Sequence, residues 1–275
     1  MVDSRVPYLA PLADFVVSVT AGGSHSLVLG RTGQRVWGRG SNSHGQLGRG
    51  DVGGSALLPT ATNVKYAGDI AAGSLHSLAA SKDKFVSWGG NISGALGDNT
   101  PETGRGSAAE VAGMEKSHRM SAGSWFSMSL ASGVVRGCGM NADGQLGIGA
   151  PQGTAPPYYA SPPVKTIVKS IVDVSAGAYH VLMLDKYREV WGCGNNYLGQ
   201  LGTGTFGAGT HIPTRVKLKQ RIVSIGAGAF HSLAVDAQGH VWTWGDNLWG
   251  QLGDGTNADR NLPVMVQGVG GIAYN

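Results

Sequence analysis

The chain has 275 residues, 46 of them glycine, a net charge of +4 and only 14% charged residues. That length suits one all-β domain with a sizeable core. The glycines follow no Gly-X-Y period and sit among Val, Ile, Leu and Trp, which excludes collagen and disorder, and so mild a basic balance excludes a polycation. Cys138 and Cys193 make no Cys-x-x-Cys or zinc spacing, and no run of about 18 apolar residues is long enough to span a bilayer. The N-terminus lacks the basic start and unbroken apolar stretch of a signal peptide. An intracellular protein of cytoplasm or nucleus is expected, with an organelle left open.

Taken in chain order, the elements repeat. The phrase AGGSHS (21–26) returns as AGSLHS (72–77), AGSWFS (122–127), AGAYHV (176–181) and AGAFHS (227–232), at spacings of 51, 50, 54 and 51 residues. Downstream of each lies a glycine joint: RGSNSHGQLG (39–48), WGGNISGALG (88–97), CGMNADGQLG (138–147), CGNNYLGQLG (193–202) and WGDNLWGQLG (244–253). Within the fifth unit, IVSI, HSLAV and HVWTW are β-forming runs separated by glycine turns, so three short strands precede the joint. After the joint, a proline opens an extended segment in LPTATNV (58–64), PPVKTIV (162–168), PTRVKL (213–218) and LPVMV (262–266). Proline lacks an amide donor and belongs at the start or edge of a strand, which makes this fourth strand outermost. Such sheets bury their faces by packing around an axis, as in a β-propeller of four-stranded antiparallel blades. The reading is one domain over 1–275, with units at about 6–58, 59–109, 110–162, 163–212 and 213–262, and 263–275 starting a further strand.

The joints are the first place to look for a ligand site. No Gly-Lys pair exists for a phosphate loop, and each joint falls between strands. Its glycines serve positive φ and close approach, its asparagines (Asn42, Asn91, Asn141, Asn196, Asn247) bond local backbone, and its leucines plug the seams between blades. In the fifth unit these structural positions are Asn247, Gly250, Gln251, Leu252 and Gly253. His25, His76, His180 and His231 occupy equivalent places, with Phe126 at the third, so hydrogen-bonded structural histidines are expected and no metal site. Trp88, Cys138, Cys193 and Trp244 align in a slot filled by Arg39 in the first unit, which marks both thiols as core groups. The sequon Asn91-Ile92-Ser93 falls inside a joint and is discounted. Motifs for hydrolysis are absent, and no cofactor is implied.

Four features remain as candidate partner contacts. Arg215, Lys217, Lys219 and Arg221 alternate with less polar residues, so a strand would carry all four on one face, able to meet phosphate or acidic protein; the alternative is a solvated edge guarded by cations. Arg31, Arg35, Arg39 and Arg49 form a looser basic group. Tyr158 and Tyr159 suit interface anchors, and Trp125 is the tryptophan outside the packing slots. Segments 49–58, 98–110, 148–162 and 203–212 vary most between units and are the expected contact loops.

The AGxxHS and WGxNxxGQLG phrases, repeated at about 51 residues over nearly the whole chain, resemble the regulator of chromosome condensation repeat. The resemblance implies a seven-bladed β-propeller, of which five units are visible here, hence a partial or open ring in a longer protein or a larger assembly. It also implies a non-enzymatic protein-interaction scaffold; guanine nucleotide exchange on a Ran-like small GTPase is the alternative, and chromatin or nucleic-acid binding a third. The family's plant ultraviolet-B photoreceptor uses a tryptophan cluster, but its light-sensing motif matches this chain poorly.

Overall fold

A computed structural model describes residues 14–100, 104–114, 117–149 and 159–266. These residues form five four-stranded antiparallel sheets, each built in simple chain order from inner to outer strand. The first holds β1 (Val16–Ala21), β2 (His25–Gly30), β3 (Val36–Ser41) and β4 (Ser55–Ala61); the second holds β5 (Ala67–Ala72), β6 (His76–Ser81), β7 (Lys84–Gly89) and β8 (Arg105–Glu110). The third holds β9 (Arg119–Ala122), β10 (Phe126–Ala131), β11 (Val134–Met140) and β12 (Tyr159–Lys169). β13 (Ile171–Ala176), β14 (His180–Asp185), β15 (Val190–Asn196) and β16 (Gly207–Arg215) make the fourth, and β17 (Ile222–Ala227), β18 (His231–Asp236), β19 (Val241–Gly245) and β20 (Arg260–Met265) the fifth. Residues 263–265, expected to start a further strand, lie inside β20, and 267–275 fall outside the described residues.

Four hydrophobic clusters fill the four seams between successive blades. Between blades 3 and 4, for example, Phe126, Met128 and Leu130 meet Val174, Val181 and Cys193. The blades at the two ends differ from those within. β10 and β14 are buried on both faces, whereas β2 is buried at alternate positions and β18 at the opposite alternate positions. Period-2 side-chain alternation turns that pattern into two open sheet faces. On blade 1 the open face carries Val19 (68% exposed) and Arg39; on blade 5 it carries His231, Leu233 and Val235. The five blades therefore form an arc, and its two end faces have no blade against them among the described residues.

The seams repeat one polar device. His25 Nε2 lies 2.8 Å from Ser77 Oγ in the next blade, and Ser77 Oγ–H donates to Gln46 O at 2.8 Å. The same arrangement joins His76, Ser127 and Ala95, and again His180, Ser232 and Gln200. Because each serine proton goes to a carbonyl, which can only accept, the histidine must donate from Nε2. The slot residues bond these carbonyls, and the equivalent one at the third seam: Trp88 Nε1–H to Gln46 O at 2.9 Å, Trp244 Nε1–H to Gln200 O at 2.8 Å, Cys138 to Ala95 O at 3.5 Å and, at the third seam, Cys193 to Gln145 O at 3.5 Å. At the third seam Phe126 replaces histidine and Val181 replaces serine together, so a matched apolar pair stands in for a matched polar one.

Each joint asparagine is buried and its Oδ1 accepts the backbone N–H of the joint leucine, as in Asn247 to Leu252 at 3.0 Å. The Nδ2 amides of Asn42, Asn91, Asn196 and Asn247 donate to the loops leading to their fourth strands. Leu47, Leu146 and Leu201 lie against Gly38, Gly137 and Gly192 of their own third strands, and Leu146 joins the third seam. No helix among the described residues is long and apolar enough to cross a membrane.

Candidate interaction surface

The sheet connectivity sends every AGxxH hairpin and every joint to one end of the blades, and every turn between second and third strands, with every inter-blade connector, to the other. The hairpins converge on the axis, where their Ala and Gly backbones line a small open cavity. Gly73 and its counterparts are required there because the following His or Phe ring lies on them: a methyl group at Gly73 or Gly123 would overlap His76 or Phe126. The residue just before that ring is pushed outward. In blades 2 to 5 it is Leu75, Trp125, Tyr179 and Phe230, all half-buried, and in blade 1 it is Ser24.

Three of these make a continuous aromatic row across blades 3 to 5. Trp125 meets Tyr179 edge-on with ring centroids 5.9 Å apart, and Tyr179 stacks on Phe230 at 5.6 Å and 23°. Backbone bonds tie the row to the joints: Met140 N–H donates to Trp125 O at 2.9 Å, Asn195 N–H to Tyr179 O at 2.9 Å and Asp246 N–H to Phe230 O at 3.0 Å. The joint tips continue the surface outward with Tyr197 (63% exposed), Leu248 (64%) and Trp249 (84%). Side chains of this size left in water on adjoining loops make this end the candidate contact surface.

Trp125 thus takes its place in a shared surface. The expectation that it is the tryptophan outside the packing slots needs correction, because Trp249 is the most exposed of all: its position in the joint hid it among structural residues. Tyr179, Phe230 and Tyr197 were also missed. The signal was present, since the position before His is bulky in four units while the position before that is Gly, Ser or Ala.

The other candidates lie elsewhere. Tyr158 is outside the described residues; Tyr159 opens β12 and packs against Gly94 of the second joint. Of the expected contact loops, 55–58, 105–110, 159–162 and 207–212 are parts of outer strands. The 215–221 cations are not on one strand face. β16 stops at Arg215 because Val216 turns inward, fully buried in the seam between blades 4 and 5, with its N–H donating to Val190 O at 2.8 Å. Arg215 pairs with Glu189 at 2.5 Å, while Lys217, Lys219 and Arg221 are exposed on the connector. They nonetheless have company: Arg31, Arg35, Lys65, Lys82, Lys186 and Arg188 occupy the turns and connectors of the same end, and none makes a salt bridge among the described residues.

Burial keeps the seam thiols and imidazoles uncharged at neutral pH. Burial pushes the Cys138 and Cys193 thiols up to about 12 and the His76 and His180 imidazoles down to about 3, with His25 down to about 4.

Comparison with known proteins agrees with this geometry. The RCC1-like domain family matches residues 36–274, and the regulator of chromosome condensation (RCC1) repeat matches residues 16–46. The chain is 30% identical over 266 residues to the ultraviolet-B receptor UVR8 of Arabidopsis thaliana, covering 92% of this chain and 58% of that protein. It is 31% identical over 267 residues to the human E3 ubiquitin-protein ligase HERC2, covering 93% of this chain but only 5% of that protein. It thus spans little more than half of the first relative and a small part of the second. Among solved structures, human WBSCR16 superposes with a TM-score of 0.81 at 23% identity, covering 95% of this chain and 69% of that one. Prp20p of Saccharomyces cerevisiae gives 0.78 at 18%, covering 92% and 63%. The family match over most of the sequence, and five blades carrying its repeat, show that this chain belongs to the RCC1-like domain family of β-propeller proteins.

Proposed function

We propose that this chain is a non-catalytic docking module that holds a protein partner against the end of the arc bearing the aromatic row. The observation that carries the reading is the exposure of Trp249, Tyr197 and Leu248 beside the Trp125–Tyr179–Phe230 row. Large rigid side chains on a scaffold of fixed hairpins bind with little ordering cost, as interface anchors do. Affinity capture with the wild-type chain and with a Tyr197→Ala/Trp249→Ala variant tests it. A discrete set of proteins should be retained by the first and depleted on the order of tenfold by the second. Equal recovery from both sinks the reading.

Guanine nucleotide exchange on a small GTPase is the second reading, supported by the likeness of fold to Prp20p, whose structure is described together with its binding to Gsp1p and histones. Nucleotide release from a Ran-like GTPase, unaccelerated by micromolar protein, separates docking from exchange. A third reading, an acidic or nucleic-acid partner, belongs to the opposite, cation-bearing end.

A further inference from the structure

The docking end has a charge as well as a shape. Resting on the docking reading above, we propose that the Trp125–Tyr179–Phe230 row takes an extended segment of a protein partner bearing arginine or lysine at alternate positions.

Three carboxylates border the row and have no cationic partner among the described residues. Asp143 accepts from Asn195 Nδ2 at 3.1 Å, and Asn195 is the residue whose N–H bonds Tyr179 O. Asp246, bonded through its own N–H to Phe230 O, accepts only Leu248 N–H at 3.1 Å. Asp259 accepts Asn247 N–H at 2.8 Å, one residue along from Asp246. The cations of this end are spoken for: Arg49 pairs with Asp51, Arg105 with Asp98 and Arg260 with Asp254, while Arg39 stands on the open face of blade 1. Blades 3 to 5 therefore set an aromatic row beside unneutralised carboxylates. Guanidinium and ammonium groups are attracted by the carboxylates and can lay their apolar stems on the rings. An acidic or phosphorylated partner is repelled here and would find its complement at the opposite end.

An extended chain can follow the spacing of the row. Ring centroids lie 5.9 and 5.6 Å apart. Same-face side chains of an extended segment are spaced about 6.5 Å, so successive alternate residues can address successive rings.

Fluorescence anisotropy with labelled synthetic peptides tests the proposal. One peptide alternates arginine with alanine; two controls carry glutamate or leucine in place of arginine. The arginine peptide should bind, roughly tenfold more weakly to Tyr179→Ala. An Asp143→Asn/Asp246→Asn variant, which keeps the acceptor oxygens of both side chains, should bind it several-fold more weakly and with a flatter dependence on salt. Thermal melts establish that each variant folds. Binding of the leucine peptide as tight as that of arginine, still lost in Tyr179→Ala, overturns the cationic partner while leaving docking at this end in place. Binding of the glutamate peptide at this site, indifference of the arginine peptide to both variants, or no peptide binding at all while capture remains dependent on Tyr197 and Trp249, overturns it as well.

Discussion

His180 illustrates how one residue couples the stability of the arc to pH. Its Nε2–H reaches Ser232 across the seam, and its Nδ1 is buried without a partner, so a second proton would have to be placed in a dry, unanswered position. Burial accordingly holds its pKa down at about 3, and those of His76 and His25 at about 3 and 4. The unfolded chain takes up these protons near pH 6.5 and the folded chain refuses them until much lower pH. Stability therefore falls as pH drops from 6.5 towards 4, by on the order of 1 kcal/mol per pH unit for each histidine. The third seam supplies the control: a His180→Phe/Ser232→Val variant copies the Phe126–Val181 pair and should flatten the decline measured by urea unfolding at several pH values. An undiminished slope would show that these histidines do not carry it.

At the scale of the element, the joint is the most constrained part of each blade. Gly194 sits at φ +103°, and a methyl group there would lie 2.5 Å from Tyr179 O. Replacing it with alanine imposes both an unfavourable backbone and a backbone collision, so Gly194→Ala should cost about 2 to 4 kcal/mol in urea unfolding. A cost below about 1 kcal/mol would mean that the hairpin simply moves aside. This constraint explains why the fold was so legible in the sequence: each unit must solve the same problem at Gly40, Gly89, Gly139, Gly194 and Gly245, and solves it with the same residue. Surfaces obey no such repetition. The 215–221 segment alternates like a strand, yet its apolar members Val216 and Leu218 are anchors of a connector, a distinction that period alone does not draw. Trp249 was illegible for the opposite reason, because a loud structural motif surrounds a residue whose side chain stands apart from it. Tyr179 and Phe230 gained meaning only when the hairpins were brought side by side.

For the molecule as a whole, the two ends differ in character. One carries aromatic rings with unpaired carboxylates, the other exposed Lys and Arg on turns and connectors from several blades. A binding assay with heparin or DNA should find affinity that falls steeply with salt, and a Lys217→Gln/Lys219→Gln/Arg221→Gln variant should reduce the log–log slope by about 2 to 3. An unchanged slope would remove that connector from the polyanion surface. A partner seated on the aromatic row would leave the cationic end free, so the two could be occupied together.

The exchange of histidine and serine for Phe126 and Val181 has a further consequence for the order in which the arc comes apart. Acid loosens the three seams that hold a neutral histidine and leaves the apolar one untouched. Blades 3 and 4 should then outlast their neighbours as a pair. Hydrogen exchange followed at pH 4 would show protection surviving longest in β10 and β14 and disappearing first from β6 and β18; uniform loss across all five blades would mean that the arc melts as one unit.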